Sequence, residues 1–251
     1  MTTARCAVLG MLCLTSVVTP LDAQRVDTIR VGSAALQGAR LEIGTFAIES
    51  FQGTDGVDTP ISTTTQQITH AYQSGVELYV IHTTHMPADG DTTVGSIVMR
   101  ATDYALLRHR VKAARDSAAV TVNAGHLTGW VALPDEPIHL INQPLPRPAF
   151  PIEGQMPWLF PLLPLAEGYS AAVPHFSMWQ GGEEWTTITV VGSDVVEHDG
   201  RLRDCWRVDG GELFPGYRIT YWVEKSTRRI VEGVARGADA GPEYWARART
   251  P

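Results

Sequence analysis

The sequence predicts a mainly β protein: one large, curved antiparallel sheet, a half-barrel, with a proline-rich loop and a short helix covering one face. Three observations predict this fold. Runs of alternating apolar and polar residues recur roughly every 8–12 residues, the rhythm of a meander. Helical periodicity is scarce, and nine of the sixteen prolines lie within residues 134–164. Because proline has no N–H to give to a sheet, that stretch is excluded from central strands and must cross or cover the sheet.

Composition narrows the class of protein. The chain has 251 residues, of which 44% are apolar and 19% charged, and its formal net charge is −7. This apolar fraction excludes a disordered chain. The acidic balance argues against a nucleic-acid partner, which would need a basic surface. We expect residues 24–251 to form a single β-rich domain.

The N-terminus resembles an export signal over residues 1–23. Arg5 supplies the positive end, and residues 6–18 form a largely apolar run that is too short to span a bilayer. Cleavage after Ala23 would leave Gln24 as the first residue of a periplasmic or secreted protein with no transmembrane segment. The alternative interpretation of this run is a buried first helix.

Lipid attachment is not expected at the N-terminus. Cys13 follows Leu12, whereas a lipoprotein signal needs a small residue directly before its cysteine. We therefore predict a free, soluble exported protein. Once the signal is removed, Cys205 is the single remaining cysteine, so no internal disulfide can form. Its place in an alternating run predicts a small, buried and unreactive side chain.

The first half of the chain contains seven strand-like runs separated by turn residues. They are residues 40–51, 61–72, 76–84, 92–100, 107–115, 118–124 and 127–133. The run over residues 76–81 is mostly apolar on both faces, which predicts that another element covers it.

The second half repeats the pattern over residues 185–197, 201–208, 217–224 and 228–235. Asp199-Gly200 between the first two runs predicts a tight hairpin. In residues 217–224, Tyr217, Ile219, Tyr221 and Val223 share one face. We expect the tail, residues 241–249, to add a final strand at an edge of the sheet.

The proline-rich stretch contains a dense apolar packet that needs a place in the core. Residues 155–163 predict a short helix, and residues 156–165 are expected to cover the concave face of the sheet, because their Trp, Phe and Leu side chains are too apolar to lie open to water. Plain core packing and the lining of an apolar hollow both fit these side chains. If a hollow exists, its predicted lining combines three sheet residues with three from the packet: Tyr79, Ile81, Met99, Trp158, Phe160 and Leu163.

No set of residues predicts catalysis, a metal or a cofactor. His82 and His85 are three residues apart on one strand and therefore point to opposite faces. The adjacent acids Glu183 and Glu184 follow a Gly-Gly turn, which is typical of solvated side chains. There is no Gly-x-Ser-x-Gly elbow. A basic cluster, Arg108, Arg110 and Lys112, would share one face of a strand and fits a solvated surface or an anionic partner.

Several short motifs, in order, are similar to an uncharacterised bacterial envelope family, the domain-of-unknown-function family 3108. They are SIVMR at residues 96–100 with LLR at 106–108, LPLAEGY at 163–169, VPHF at 173–176, VVGSDVV at 190–196, CWRV at 205–208 and YWVEKSTRRIV at 221–231. The match covers residues 38–236. The resemblance implies a strongly curved sheet similar to that of the LolA and LppX periplasmic lipoprotein carriers. It implies no catalytic residues.

The sequence thus favours an exported, non-enzymatic protein, with a lipid or other apolar small molecule as its candidate ligand. Two other hypotheses stay open: an envelope module that binds protein or polysaccharide through a sheet face or edge, and a hydrolase of unrecognised type. A deep apolar hollow favours the first hypothesis. A filled core with an exposed aromatic patch favours the second, and a cleft with a buried carboxylate or histidine network favours the third.

Overall fold

The computed structural model describes residues 26–36, 40–54, 57–151, 158–177, 182–214, 216–237 and 242–249. The predicted signal segment, including Cys13, lies outside these residues. The described strands are β1 (Asp27–Thr28), β2 (Gly44–Thr54), β3 (Val57–Gln73), β4 (Val76–Pro87), β5 (Thr93–Arg100), β6 (Leu106–Lys112), β7 (Ser117–Asn123), β8 (His126–Ala132), β9 (His139–Pro144), β10 (Ser170–Ser177), β11 (Gly182–His198), β12 (Arg201–Phe214), β13 (Tyr217–Glu224), β14 (Ile230–Gly237) and β15 (Glu243–Arg249). Short 3-10 helices span Ala34–Leu36 and Phe160–Leu162. None of the described helices is long and apolar enough to cross a membrane.

All fifteen described strands form one sheet in the order β1-β10-β11-β12-β13-β14-β15-β2-β3-β4-β5-β6-β7-β8-β9. Every neighbouring pair is antiparallel except β1 with β10. Two sequential meanders, β2–β9 and β10–β15, therefore make up one continuous surface. The predicted fold class is confirmed.

The tail of the chain occupies a different place from the one expected. β15 is not an edge strand, because it pairs with β14 on one side and with β2 on the other. Each meander alone would expose a row of unpaired N–H and C=O groups at that boundary, and β15 satisfies both rows. Trp245 stacks on Phe51 across the β15–β2 boundary, with ring centroids 4.1 Å apart.

The Asp-Gly hairpin forms as predicted. Asp199 and Gly200 have φ angles of 49° and 69°, and His198 pairs with Arg201 across the turn. Two consecutive positive φ angles match a two-residue turn whose twist fits a β-hairpin.

Three strands were missed in the sequence: the two-residue β1, β9, which lies inside the proline-rich stretch, and β10, which begins at Ser170, shortly after that stretch ends. β9 is the last strand of the sheet, and an edge is where prolines are tolerated. The weak alternation of these short runs explains why periodicity alone did not reveal them.

Backbone hydrogen bonds bring the β10 edge back towards the β5–β6 turn, so the sheet rolls up. Phe176 N–H donates to Phe150 O at 3.3 Å, Leu106 N–H to Ala149 O at 3.0 Å, and Gly32 N–H to Asp103 O at 3.2 Å. Residues 149–150 thus lie between the two meanders. Since these bonds satisfy backbone groups at the β10 edge, they stabilise the curvature.

The largest apolar cluster lies on one face of the sheet, here called the inner face, under the segment that we call the plug, residues 158–165. The apolar side chains of the plug are between 0% and 8% exposed: Trp158, Leu159, Phe160, Leu162, Leu163 and Leu165. They share one cluster with inner-face residues of both meanders. Phe160 contacts Tyr221 with ring centroids 4.9 Å apart. The expected cover of one face is therefore confirmed.

The helix of the plug is shorter than expected. Within the described residues the predicted helix over 155–163 is a three-residue 3-10 turn, Phe160–Leu162, while residues 155–157 lie outside them. Pro161 fits at the start of such a turn because its missing N–H has no partner there. The plug is anchored instead by a long-range hydrogen bond, from Arg228 Nη1 to Leu163 O at 3.0 Å.

Strands β6–β9, here called the arm, extend beyond the plug over a second and smaller cluster. That cluster consists of Leu106, Ala118, Val120, Leu127, Val131, Ala149 and Phe176. On β6 the predicted basic residues Arg108, Arg110 and Lys112 share an exposed face, while His109 between them is only 5% exposed.

Candidate functional site

The six residues predicted to line a hollow all lie in the inner-face cluster. Tyr79 and Met99 are register partners on β4 and β5, and Ile81 lies two residues along β4 on the same face. The other three, Trp158, Phe160 and Leu163, come from the plug. None is more than 4% exposed. The structure thus brings all six predicted residues together as close-packed core, and their role in lining a ligand stays a prediction.

Tyr79 illustrates how tightly this region is packed. Its ring stacks on Tyr104 at a centroid distance of 6.1 Å and lies 4.6 Å from His70. Burial raises the pKa of Tyr79 above its ordinary value, against the lowering effect of a backbone hydrogen bond at Leu41. The phenol is therefore neutral at physiological pH, and its ring acts as an apolar wall.

A cleft of about 230 Å³ opens beside this core, here called the apolar cleft. One wall comes from the inner faces of β2 and β3, where Phe46 pairs with Gln66. The opposite wall comes from the plug, through Trp158 and Pro161. Of the six predicted residues, Trp158 is the one that also lines this cleft. The described residues that line it are Leu41, Glu42, Phe46, Ala47, Ile48, Gln66, Ile68, Trp158, Pro161, His198, Arg203, Glu224, Thr227, Arg229, Ile230, Val231, Ala248 and Arg249.

Charged side chains stand among the apolar lining. Arg229 forms a fork with Glu42, with Nε 2.6 Å from Oε2 and a second, shorter contact between Nη2 and Oε1. Its guanidinium also lies 5.5 Å from the ring centroid of Phe46. A charge-assisted fork fixes the side-chain geometry, so this pair ties the β13–β14 turn to the chain just before β2.

A second pair stands in the same lining. Arg203 Nη1 donates to Glu224 Oε1 at 2.9 Å, and Thr227 Oγ1 donates to Glu224 Oε2 at 2.6 Å. The Thr227 hydrogen bond, together with Arg203, holds the pKa of Glu224 below its ordinary value. The carboxylate is therefore ionised, and the cleft combines apolar walls with fixed charges.

The residues considered and set aside for chemistry are apart from this cleft. His82 is exposed on β4, while His85 Nδ1 lies 2.9 Å from Thr64 Oγ1. Glu184 Oε2 lies 3.4 Å from His175 Nε2, and Glu183 is exposed. Within the described ranges, no group of three or more His, Cys, Asp and Glu residues could hold a metal ion.

Cys205 is fully buried on β12. Burial, with the nearby Glu224 and Asp204 carboxylates, raises the pKa of its thiol to about 11. Because the thiolate is the reactive form, these conditions support the prediction of an unreactive cysteine.

Sequence reasoning missed the charged residues of the cleft. Glu42 and Arg229 are 187 positions apart, and no local pattern links them. The one usable signal was on β13, where Glu224 ends a run whose alternating partners face the core. That alternation placed Glu224 on the opposite face of the strand but could not name Arg203 as its partner.

The solved structures that match this chain include two chains of low sequence identity. The first is a "beta-barrel-like protein of domain of unknown function DUF1849 from Brucella abortus", at 12% identity and a TM-score of 0.49, covering 84% of this chain and 97% of that chain. The second is a DUF1329 family protein from Desulfovibrio piger, at 12% identity and a TM-score of 0.29, covering 86% of each chain. Neither likeness bears on a ligand or an activity. No family model and no curated protein matches the chain, so the resemblance to family 3108 stays a prediction.

Proposed function

We propose that this protein is an exported, non-enzymatic binder of a single-chain amphiphile, which it holds by its apolar chain in the apolar cleft. The observation that carries the proposal is the cleft itself: its walls are mostly apolar, and charged pairs stand within its lining. Apolar pockets with a few fixed polar groups are the usual form of a small-molecule site. Export rests on the signal-like sequence of residues 1–23.

The size of the cleft narrows the ligand class. Its volume of about 230 Å³ is below the roughly 300–1,000 Å³ typical of drug-sized pockets. One narrow alkyl chain fits such a space better than the two chains of a membrane phospholipid. The ordered plug supports this choice, because Phe160, Leu162 and Leu163 already fill the adjoining core.

The polar residues of the lining support an amphiphile rather than a hydrocarbon. A ligand without a polar group would leave the Arg229–Glu42 and Arg203–Glu224 pairs beside an unmatched apolar surface. An amphiphile places its chain against Ile48 and Trp158 and its polar end in the solvent-exposed part of the cleft. The envelope in which we place this protein contains such molecules as lipid precursors and breakdown products.

Binding of a neutral apolar dye tests the proposal. N-phenyl-1-naphthylamine becomes fluorescent on entering an apolar site, and monolaurin, which has one chain and no charge, should displace it. Ile48 is half-buried and lines the cleft, so Ile48→Trp should fill the space. We expect affinity for monolaurin to fall at least tenfold, or about 1.4 kcal/mol.

The matched control is Val57→Trp on the same hairpin, at a position 65% exposed, and it should leave binding unchanged. Ile48→Gln serves if the larger substitution disturbs folding, which circular dichroism reports. A wild-type protein that binds neither dye nor monolaurin contradicts the proposal. So does a folded Ile48→Trp variant with wild-type affinity.

A further inference from the structure

A second cleft, of about 600 Å³, lies next to the apolar cleft; we call it the arginine cleft. The two clefts share Arg203, Ala248 and Arg249 in their linings. The residues of the described ranges that line the arginine cleft are Glu49, Asp199, Arg201, Arg203, Arg247, Ala248 and Arg249. A ligand that leaves the apolar cleft at these shared residues therefore enters the arginine cleft.

The sheet opens where the two clefts meet. The pairing of β14 with β15 ends at Glu232 with Arg247. β15 then continues through Ala248 and Arg249, which pair with β2 alone. Next to this point, the pairing of β13 with β14 shifts register after Trp222. β14 therefore does not continue alongside the last residues of β15. This local separation of two neighbouring strands explains how Ala248 and Arg249 come to line both clefts.

The arginine cleft is basic, although the chain as a whole has a net charge of −7. Among the described residues that line it, four guanidinium groups face two carboxylates, and one of the four, that of Arg203, is also paired with Glu224 outside this cleft. Glu49 is shared between Arg247, at 3.6 Å, and Arg249, at 3.3 Å. One carboxylate therefore serves two guanidinium groups.

Two arginines of the cleft have guanidinium nitrogen atoms without a partner. Arg201 has no ion pair or hydrogen bond among the residues that the structure describes. Arg203 binds Glu224 through Nη1 only, and its Nε is buried without a hydrogen-bond partner. Buried polar groups are normally satisfied, and guanidinium groups fit planar oxyanions with two parallel hydrogen bonds. Because Arg201 is exposed and paired with no carboxylate among the described residues, its guanidinium is open to an anion that enters this cleft.

We infer that the arginine cleft binds the anionic head group, a phosphate or carboxylate, of the same amphiphile whose chain lies in the apolar cleft. This inference rests on the proposed function and deepens it from amphiphiles in general to anionic single-chain amphiphiles. Arg201 and Arg249 hold the oxyanion, and Arg203 lies at the junction between head group and chain. The same chemistry in a free anion, such as inorganic phosphate, is the other source that an experiment must separate.

The test compares three ligands with one twelve-carbon chain, all below their micelle concentrations: lauroyl lysophosphatidylglycerol, lauroyl lysophosphatidylcholine and monolaurin. Each displaces N-phenyl-1-naphthylamine from the wild-type protein and from the double variant Arg201→Gln/Arg249→Gln. We expect the anionic lipid to bind the wild type at least tenfold more tightly than either of the other two. The preference should decrease as salt screens the charges.

In the double variant the anionic preference should disappear. In the single variant Arg201→Gln, which changes no residue of the apolar cleft, the preference should decrease while monolaurin binds as it does to wild type. The matched control, Arg108→Gln/Arg110→Gln, removes two exposed arginines from β6 and should keep the preference. The inference is overturned if the wild-type protein shows no preference for the anionic lipid. It is also overturned if the double variant keeps that preference or the control variant loses it.

The remaining outcomes separate this inference from the proposed function. Failure of monolaurin to bind overturns the proposed function. Monolaurin binding without an anionic preference overturns the head-group assignment alone. If inorganic phosphate binds as tightly as the anionic lipid and does not compete with the dye, the arginine cleft takes a free anion, which also overturns the assignment.

Discussion

The plug-covered part of the sheet and the arm are built from strands with the same alternation, yet they bury different amounts of apolar surface. Under the plug, large side chains such as Tyr79, Phe160 and Tyr221 belong to one continuous cluster. Under the arm, the cluster is smaller and includes alanines, with Leu106, Leu127 and Phe176 as its large members. At its outer end the arm leaves Leu140 82% exposed.

The difference shows what a cover adds to an open sheet. Alternation places apolar side chains on one face, but removing them from water requires another layer of side chains. The plug supplies that layer with six large apolar residues, whereas Ala149 and Phe176 supply only part of one to the arm. The apolar cleft lies at the margin of the plug, where the cover is incomplete.

The largest expected effect is the loss of the plug's central ring. Phe160 is 1% exposed and contacts Tyr221, so Phe160→Ala should lower the free energy of unfolding by about 3–5 kcal/mol. Urea denaturation measures it. Leu127→Ala, at a fully buried site under the arm, is the counterpart and should cost about 2–5 kcal/mol. If Phe160→Ala costs clearly less than Leu127→Ala, the plug is not the main cover.

A second effect concerns pH and belongs to the arm. Burial lowers the pKa of His109 from 6.5 to about 4. The unfolded state therefore binds the proton more readily, and stability present above pH 6.5 is lost as the pH falls towards 4. The full loss is about 3 kcal/mol. We expect the stability of His109→Leu to depend less on pH across this interval, as measured by urea denaturation at several pH values.

His126→Leu, at an exposed site in the same arm, is the control and should keep the wild-type pH dependence. Equal pH dependence in wild type and His109→Leu would show that His109 is not held neutral by burial. In that case the arm would be more open to water than its cluster suggests.

The smallest effect is expected at the outer end of the arm. Leu140 on β9 is 82% exposed, so Leu140→Ser should change the free energy of unfolding by less than about 0.5 kcal/mol. A loss of more than about 1 kcal/mol would mean that Leu140 is covered in solution. That result would remove the contrast between the arm and the plug-covered region.

Much of the local structure could be predicted from the amino-acid sequence. The alternation of Ile219, Tyr221 and Val223 placed one face of β13 in the core, and Asp199-Gly200 located a hairpin. Proline content excluded the plug from the sheet, and its apolar residues required burial. These inferences succeed because strand periodicity, turn conformation and missing donors act within a few residues.

Tertiary structure alone decided the position of β15, the fork between Arg229 and Glu42 and the convergence of the arginines. β15 could have extended an edge, but two meanders with unpaired boundaries gain more backbone hydrogen bonds when it lies between them. Arg201 and Arg249 likewise meet only because the β11–β12 hairpin and the end of β15 come to the same cleft. The sequence by itself therefore determined which segments become strands, turns and cover. The strand pairing and curvature of the sheet determined which distant residues share a site, because register and curvature depend on pairings between strands far apart in the chain.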